Sequence, residues 1–343
     1  GEVMAAVETL FFQMAQDRVT HGLEHIRGPV QRYIERLDRL SKLDGAITGI
    51  PTGFTQLDQI LGGFQRSDLI ILAARPGVGK SSMAFTFALN AAKQHQARVA
   101  VFSLEMSDLQ SVGRWLSITS HIDNQSLRLA KIKDHEWTVL MDASNSLSGL
   151  PIYIDDTAGS TITDLRSRAR RIYAEQGLDM IIVDYMQLIA GAKNQRAENR
   201  HQEISKISKG LKALAKEMNV PVIALSQLNR DLKDRADKRP QLWDLKESGS
   251  IEEDADVVMF IHRDDYYDPD TDRQNIADLS IPKHRHGATG TMQLFFNKEL
   301  TTFSATEPPP SPRCAPNLPS SSPCATRACS SPAPTSPPTA IAM

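Results

Sequence analysis

The sequence predicts an α/β fold in which helices cover both faces of a mostly parallel central sheet. Short apolar runs, typical of buried strands, alternate with longer stretches that carry apolar residues at helical spacing. A glycine-containing loop joins the first of these strands to the following helix, as in folds that bind phosphate groups. Ligands of such sheets bind at the carboxyl ends of the strands, so the functional residues are expected there.

The predicted elements follow one another in a regular order. A short apolar helix over 57–61, set among glycines and a proline, precedes the sheet. Apolar runs predict strands at 69–74, 98–104, 152–154, 180–183, 220–225 and 256–261. Helical periodicity predicts helices at 81–95, 107–117, 134–147, 161–176 and 199–218. Two further runs, 277–283 and 290–296, predict a hairpin.

Segments of a different character flank this α/β domain, which is predicted to span 46–306. Residues 1–45 predict a helical linker region, with one helix over 2–19 and a second over 29–43. Residues 307–343 are rich in Pro, Ser, Ala and Thr, a composition that predicts a disordered tail. The second linker helix carries an apolar stripe, which packs either on its own domain or on a neighbouring subunit: Val30, Tyr33, Ile34, Leu37 and Leu40.

Composition narrows the range of functions. The chain has 343 residues, 41% of them hydrophobic and 23% charged, with a formal net charge of −2, so any nucleic-acid surface is expected to be local. No apolar run approaches the roughly 20 residues of a membrane span. No secretion signal is evident, so we expect a cytoplasmic protein without a membrane partner. All three cysteines lie in the tail, which excludes a thiolate metal site from the folded domain.

The first loop after a strand predicts a phosphate-binding site. Its two glycines allow the backbone to curl so that several N–H groups face one anion, and the helix N-terminus adds partial positive charge. Lys80 is placed to reach the outer phosphates, and the Ser81 hydroxyl to ligate Mg²⁺. The alternative is an ordinary strand–turn–helix corner. The predicted nucleotide-binding residues are Arg75, Pro76, Gly77, Val78, Gly79, Lys80, Ser81 and Ser82.

Three polar residues follow other predicted strands. Glu105 comes just after 98–104 and is a candidate to polarise the attacking water, the alternative being a surface residue near a helix start. Asp184 directly follows an apolar strand, like the acid that supports Mg²⁺ in phosphate-loop ATPases, with a capping aspartate as the alternative. Gln227 is a candidate to hydrogen-bond a terminal phosphate or, equally, an ordinary loop amide.

Basic residues gather in two loops and near the hairpin. The loops 191–200 and 229–246 are long enough to be functional or disordered, and any nucleic-acid contact there is expected to be with phosphates. Lys283 and Arg285 face one way at strand spacing, and Arg285 is a candidate arginine finger for a neighbour's nucleotide. His284 and His286 have no carboxylate fixed nearby, so no metal site is expected there.

As an ordered set, these motifs resemble the C-terminal ATPase domain of the bacterial replicative DNA helicase family DnaB. The resemblance implies a RecA-like phosphate-loop fold in a homo-hexameric ring around single-stranded DNA, moving 5′ to 3′ on hydrolysis of ATP with Mg²⁺. A helicase loader is an expected partner. In the family, an N-terminal helical collar mediates contact with primase. The given sequence does not include that collar, so primase is not an expected partner. The resemblance covers about 47–304 and rests on the segments 47–54, 69–81, 102–107, 182–189, 226–230, 247–256, 283–287 and 295–298.

Residue by residue, the resemblance also implies roles. The segment that follows the DNA backbone in the family is matched by Lys246, Glu247 and Gly249, and Arg114 is expected to approach the phosphates. A filament-forming RecA-like recombinase and a non-catalytic binding module are the remaining alternatives. The implied roles in hydrolysis are phosphate and Mg²⁺ binding for Lys80 and Ser81, water activation for Glu105, metal support for Asp184, γ-phosphate sensing for Gln227, and action in trans for Lys283 and Arg285.

Overall fold

The computed structural model describes residues 24–41, 47–191, 200–228, 235 and 237–305. Three predictions therefore fall wholly or largely outside the described residues: the helix over 2–19, the tail 307–343, and the loop 191–200. In the other charged loop, 229–246, residues 229–234 and 236 lie outside them as well. In the described part of the chain, no helix has the length and apolar character needed to cross a bilayer.

The described strands form one sheet of nine strands, in the order β3-β2-β4-β5-β1-β6-β7-β8-β9. Strands β1 to β6 pair in parallel, and the last three pair antiparallel, which confirms the mostly parallel sheet and the hairpin. The final strand, β9, is absent from the sequence prediction. The bounds are β1 Leu69–Ala74, β2 Val99–Ser103, β3 Ile152–Asp155, β4 Met180–Asp184, β5 Val222–Gln227, β6 Val257–Arg263, β7 Ile276–His284, β8 Gly290–Asn297 and β9 Thr302–Ala305.

The helices confirm the predicted alternation. Short helices at 124–128, 249–254 and 264–267 are additional, and 3₁₀ turns cover Met186–Leu188 and Leu242–Ser248. These are too short to show helical periodicity in the sequence. The helices are α1 Arg27–Ser41, α2 Thr55–Leu61, α3 Lys80–His95, α4 Asp108–Ser120, α5 Asn124–Arg128, α6 Asp134–Ser148, α7 Ile162–Gln176, α8 Arg200–Met218, α9 Gly249–Asp254 and α10 Asp264–Tyr267.

The stripe on α1 is not covered by the described part of its own chain. Four of its apolar side chains, Val30, Tyr33, Ile34 and Leu37, are 45–60% exposed. The side chain of Leu40 lies outside the described residues. Packing of α1 on its own domain, one of the two alternatives, therefore receives no support here.

Two apolar layers bury the sheet, one on each face. Helix α3 packs on the first face, with Phe85 and Phe87, and helices α7 and α8 pack on the second, with Leu165 and Leu211 among the residues. Every residue of β1 is buried. Burial on both faces explains why the parallel strands read as continuous apolar runs rather than as alternating ones. It also fixes β1, and the loop that follows it, in the centre of the sheet.

We predict that Phe87→Ala lowers the free energy of unfolding by about 3–5 kcal/mol, the usual cost of truncating a core aromatic residue. Phe87 is fully buried and its ring meets those of Phe54 and Phe64 edge-on, at centroid distances of 5.9 and 5.0 Å. Urea unfolding followed by circular dichroism measures the loss.

Tyr173→Ala is the matched control, because this aromatic residue of α7 is 47% exposed. Its effect should stay within about 0.5 kcal/mol. Equal losses for the two variants would contradict the assignment of Phe87 to the core.

Candidate nucleotide-binding and catalytic site

The predicted site residues converge at the carboxyl ends of four neighbouring strands, β2, β4, β5 and β1. The register pairs Ala74, the last residue of β1, with Gln227, the last residue of β5. It likewise pairs Ser103 at the end of β2 with Asp184 at the end of β4. Parallel pairing therefore brings the phosphate loop, the acid and the glutamine to one edge, as the sequence predicts.

The loop between β1 and α3 has the backbone of an anion cradle. Gly77 and Gly79 adopt φ angles of 80° and 122°, in the region that favours glycine. Gly79 is the N-cap of α3 and provides no side-chain hydrogen bond, so the first N–H groups of the helix remain available to a ligand. A Cβ atom at Gly79 would lie 2.8 Å from the Phe303 ring on β9. The close approach of Phe303, on the antiparallel part of the sheet, thus leaves no room for a side chain at Gly79.

Lys80 is a cation held in a confined position. Its Nζ lies 3.8 Å from Oδ1 of Asp184 and 4.0 Å from the centroid of the Tyr185 ring. Burial lowers the pKa of Lys80, while the negative charges of Asp184 and Glu105 oppose that shift. The separation from Asp184 exceeds hydrogen-bond length, which leaves the ammonium donors for another acceptor.

Asp184 fits the role of metal support. It is fully buried, and neither of its carboxylate oxygens has a hydrogen-bond partner among the described residues. A buried carboxylate without partners is costly unless a cation compensates it. Hard cations such as Mg²⁺ take oxygen ligands, and half-buried Ser81 lies in the first turn of α3. The residues present therefore fit a divalent cation shared between Ser81 and Asp184.

Glu105 and Arg114 complete the charges of the site. Glu105 is exposed, two residues after β2, beside a segment that Leu104 ties to β4 by donating its N–H to the Asp184 carbonyl. Arg114 lies on α4, where burial lowers its pKa and the charges of Asp184 and Glu105 oppose that shift. The expectation that Arg114 approaches the site is thus supported, since it faces the same two carboxylates as Lys80.

Gln227 is exposed at the end of β5 and is connected to β4 by a residue that the sequence interpretation did not single out. Gln187, in the 3₁₀ turn after Asp184, donates from Nε2 to Ser226 Oγ (2.9 Å) and accepts the Gln227 N–H at its Oε1 (3.3 Å). The turn that carries Gln187 begins two residues after the metal candidate. The turn that follows Asp184 is thus hydrogen-bonded to the end of β5 that carries Gln227.

Two arginines, one in the phosphate loop and one outside it, connect the loop to neighbouring elements. Arg75 is buried and donates from Nη1 to the Leu228 carbonyl (3.4 Å). Arg263, at the end of β6, donates from Nη1 to the Val78 carbonyl (3.2 Å) and forms a bidentate pair with Asp265. Sequence reasoning missed Arg263, because a basic residue at a strand end carries no motif. The side chain of Arg75 is thus hydrogen-bonded to the residue that follows β5. Its direct contact with phosphate stays a prediction.

Lys283 and Arg285 lie at the opposite edge of the sheet. The register pairs Val257, the first residue of β6, with His284, whereas Arg263 at the loop end pairs with Ala277. Seven residues of strand separate the two ends, a distance of about 20 Å. Lys283 Nζ donates to the Glu252 carbonyl, and Arg285 Nη2 to the Glu253 carbonyl (2.8 Å). Both side chains thus face the same way, as their spacing predicts, and both contact α9, a helix that the sequence does not predict.

The predicted DNA segment runs into the same helix. Lys246 and Glu247 lie in the 3₁₀ turn Leu242–Ser248, and Gly249 begins α9. Their side chains lie outside the described part. Upstream, Arg235 forms an ion pair with Asp244 at 2.7 Å, so the mixed charges of this loop are at least partly compensated within it.

The histidines near the hairpin do not form a pair of metal ligands in the structure. His284 Nδ1 lies 3.2 Å from the Ala288 carbonyl. His286 instead comes within 4.8 Å of Asp68 and Asp256, a grouping that the sequence does not suggest. Lys212 and Arg285 already form ion pairs with Asp256, so that carboxylate is compensated without a metal.

A phosphate loop at the centre of a parallel sheet, with an acid and a glutamine at the ends of the adjacent strands, defines a RecA-like phosphate-loop ATPase. Comparison with known families narrows this class. Residues 49–305 match the DnaB-like helicase C terminal domain, and the chain belongs to this family. Membership implies that it uses a nucleotide.

Known proteins are similar over most of the chain. It is 48% identical to the replicative DNA helicase DnaB of Geobacillus stearothermophilus, covering 85% of this chain and 64% of that protein. It is 45% identical to the replicative DNA helicase DnaC of Bacillus subtilis (strain 168), covering 88% and 66%. The chain thus spans just under two thirds of the length of these relatives.

Solved structures show the same fold. One of them, an isolated ATPase domain, superimposes with a TM-score of 0.77 at 37% identity, covering 81% of this chain and 98% of that one. A DnaB-like replicative helicase, solved in a study of its interactions with primase, gives a TM-score of 0.74 at 37% identity, covering 82% and 67%.

We predict that Gly79→Ala abolishes nucleotide binding and lowers the free energy of unfolding by more than about 1 kcal/mol, because alanine is strained at this φ angle. Its Cβ would also press on Phe303. Binding of a fluorescent ATP analogue and thermal unfolding measure the two effects.

Gly113→Ala is the matched control. Gly113 lies within α4, and a Cβ there would meet no atom within 4 Å. Alanine should stabilise the helix by about 0.5–1 kcal/mol and leave nucleotide binding unchanged. Normal binding by Gly79→Ala would rule out the cradle as the phosphate site.

Proposed function

We propose that the chain is the ATP-hydrolysing motor of a replicative DNA helicase, which acts as a homo-hexameric ring on single-stranded DNA and moves 5′ to 3′. Family membership and the named relatives support this proposal. The observation that carries it is the separation of the site into two halves. The phosphate loop and Arg285 lie at opposite ends of the sheet, so a second subunit must complete the site.

Each residue at the carboxyl edge takes a role that its surroundings suit. Lys80, confined beside Asp184, neutralises the outer phosphates of ATP, and the N–H groups of Gly77–Ser82 cradle them. Glu105 is exposed near the end of β2, where a water molecule can reach it, and takes the role of orienting and deprotonating the attacking water. Gln227 faces the terminal phosphate from β5. Mg²⁺ held by Ser81 and Asp184 supplies charge neutralisation for the phosphate oxygens.

The other edge supplies the trans residues. Arg285 has a side chain 44% exposed, and its contacts with Asp256 and Glu253 use two of the five N–H donors of a guanidinium. The remaining donors are presented outward, toward a neighbour's nucleotide. An arginine finger in comparable sites accelerates hydrolysis by about 10³–10⁵-fold, so activity should depend on assembly. Lys283 lies beside it and adds a second positive charge.

DNA contact is assigned to the segment that contains Lys246, Glu247 and Gly249. A lysine and backbone amides suit contacts with phosphates, which are independent of base sequence, whereas Glu247 orients its neighbours. A helicase loader is a further expected partner, and a cytoplasmic location at the replication fork follows from the same assignment.

The decisive experiment is complementation between two inactive variants. Lys80→Ala loses its own phosphate site but keeps its finger, and Arg285→Ala keeps its site but loses the finger. Each alone should hydrolyse ATP at least about 100-fold more slowly than the wild-type chain. Mixed after dissociation and reassembly, they should hydrolyse ATP above the mean of the separate rates, with stimulation by single-stranded DNA.

Sizing and electron microscopy of the same samples give the assembly. Closed rings and recovered activity agree with the proposal. Open filaments would indicate the recombinase alternative, and full activity of dilute monomers, unchanged by Arg285→Ala, would refute the trans site.

A further inference from the structure

Arg285, the candidate arginine finger, forms an ion pair with Asp256, a residue that has no role in the proposed function. Asp256 lies between α9 and β6 and is almost completely buried. Its Oδ1 accepts from Arg285 Nη1 at 3.2 Å, and its backbone carbonyl accepts the Arg285 N–H at 2.8 Å. One residue thus fixes both the main chain and the guanidinium of Arg285.

Asp256 is itself anchored to two other elements. Its Oδ2 accepts the N–H of Leu69, the first residue of β1, at 2.8 Å. The same oxygen pairs with Lys212 of α8, whose Nζ also donates to the Ser67 carbonyl (2.8 Å). The carboxylate therefore cannot rotate without losing contacts with the centre of the sheet and with the helix that covers it.

We infer that Asp256 is a positioning residue for Arg285, and that it sets where the guanidinium is presented to the neighbouring nucleotide. This inference rests on the proposed trans site. Together with the Glu253 carbonyl, Asp256 binds one side of the guanidinium, while the side chain stays 44% exposed on the other. A guanidinium bound on one side points in a single direction, and it needs little reorganisation when phosphate arrives.

Asp256→Asn tests the assignment. The change keeps the shape of the side chain but removes its charge. If the amide oxygen accepts from Leu69 and Lys212, the amide NH₂ group faces Arg285 and cannot accept a hydrogen bond from it. We expect kcat for DNA-stimulated hydrolysis to fall about 10- to 100-fold, the range for a misplaced catalytic group. KM for ATP and ring assembly should change less than about threefold, because the subunit's own phosphate site is intact.

Complementation separates positioning from general damage. Asp256→Asn subunits mixed with Lys80→Ala subunits should recover activity, because a neighbour supplies a well-placed finger. The same subunits mixed with Arg285→Ala should not recover. If Arg285→Ala is rescued by Lys80→Ala but Asp256→Asn is not, the positioning role is refuted while the trans site stands. If neither is rescued, the trans site itself fails.

Two further variants keep the test informative if Asp256→Asn folds poorly. Lys212→Met with Asp256→Asn removes both charges of the buried pair, which avoids leaving one buried charge without its partner, and should show the same loss of kcat. Asp68→Asn is the matched control, since this neighbouring buried acid has no direct contact with Arg285 among the described residues. A loss of kcat equal to that of Asp256→Asn would show a general charge effect and overturn the inference.

Discussion

The parallel register of β1 with β5 and β6 is the constraint on which the rest of the structure depends. It places Ala74 opposite Gln227 at one edge and Leu69 beside Asp256 at the other. Since β1 is buried along its whole length, a one-residue slip would misplace the phosphate loop and the finger together. One strand thus sets the spacing between the two halves of the proposed site.

The electrostatics at the carboxyl edge explain why that rigidity is needed. Asp184 is fully buried and Lys80 and Arg114 are partly buried, and the structure compensates their charges only in part. Asp184 lies 3.8 Å from Lys80, and its carboxylate oxygens have no hydrogen-bond partner among the described residues. Such an arrangement costs stability in the free protein. In the proposed function, phosphates beside the cations and a divalent cation beside the carboxylate would compensate these charges, which are already in place before the ligand binds.

How much of the fold and of the candidate site the sequence predicts depends on how far apart in the chain the interacting residues lie. Strands β1 to β6 and the residues at their ends were predicted because their signals are local: an apolar run, a glycine loop, an acid after a strand. Strand β9 was missed because Phe303 is its one large apolar residue, so no apolar run marks it as the run at 152–154 marks β3. Arg263, Gln187 and Asp256 were missed for a different reason, since each acts on residues far away in the sequence. The Arg263 bond to Val78 spans 185 positions, and that of Asp256 to Leu69 spans 187. The periodicity of apolar residues along the chain does not reveal pairs that lie so far apart in the sequence.

The structure also changes how DNA and nucleotide are expected to be connected. By sequence, Gln227 leads toward Lys246, which suggests a connection within one subunit, but much of the intervening loop lies outside the described residues. A shorter connection is visible on the other side of Lys246. Helix α9 begins at Gly249, in the predicted DNA segment, and its carbonyls at Glu252 and Glu253 bind Lys283 and Arg285. Three and four residues of helix, about 5–6 Å, separate Gly249 from these two carbonyls. In the proposed ring, a displacement of the predicted DNA segment would reach the neighbour's nucleotide through α9, and Asp256, the second residue after α9, would limit how far Arg285 can follow.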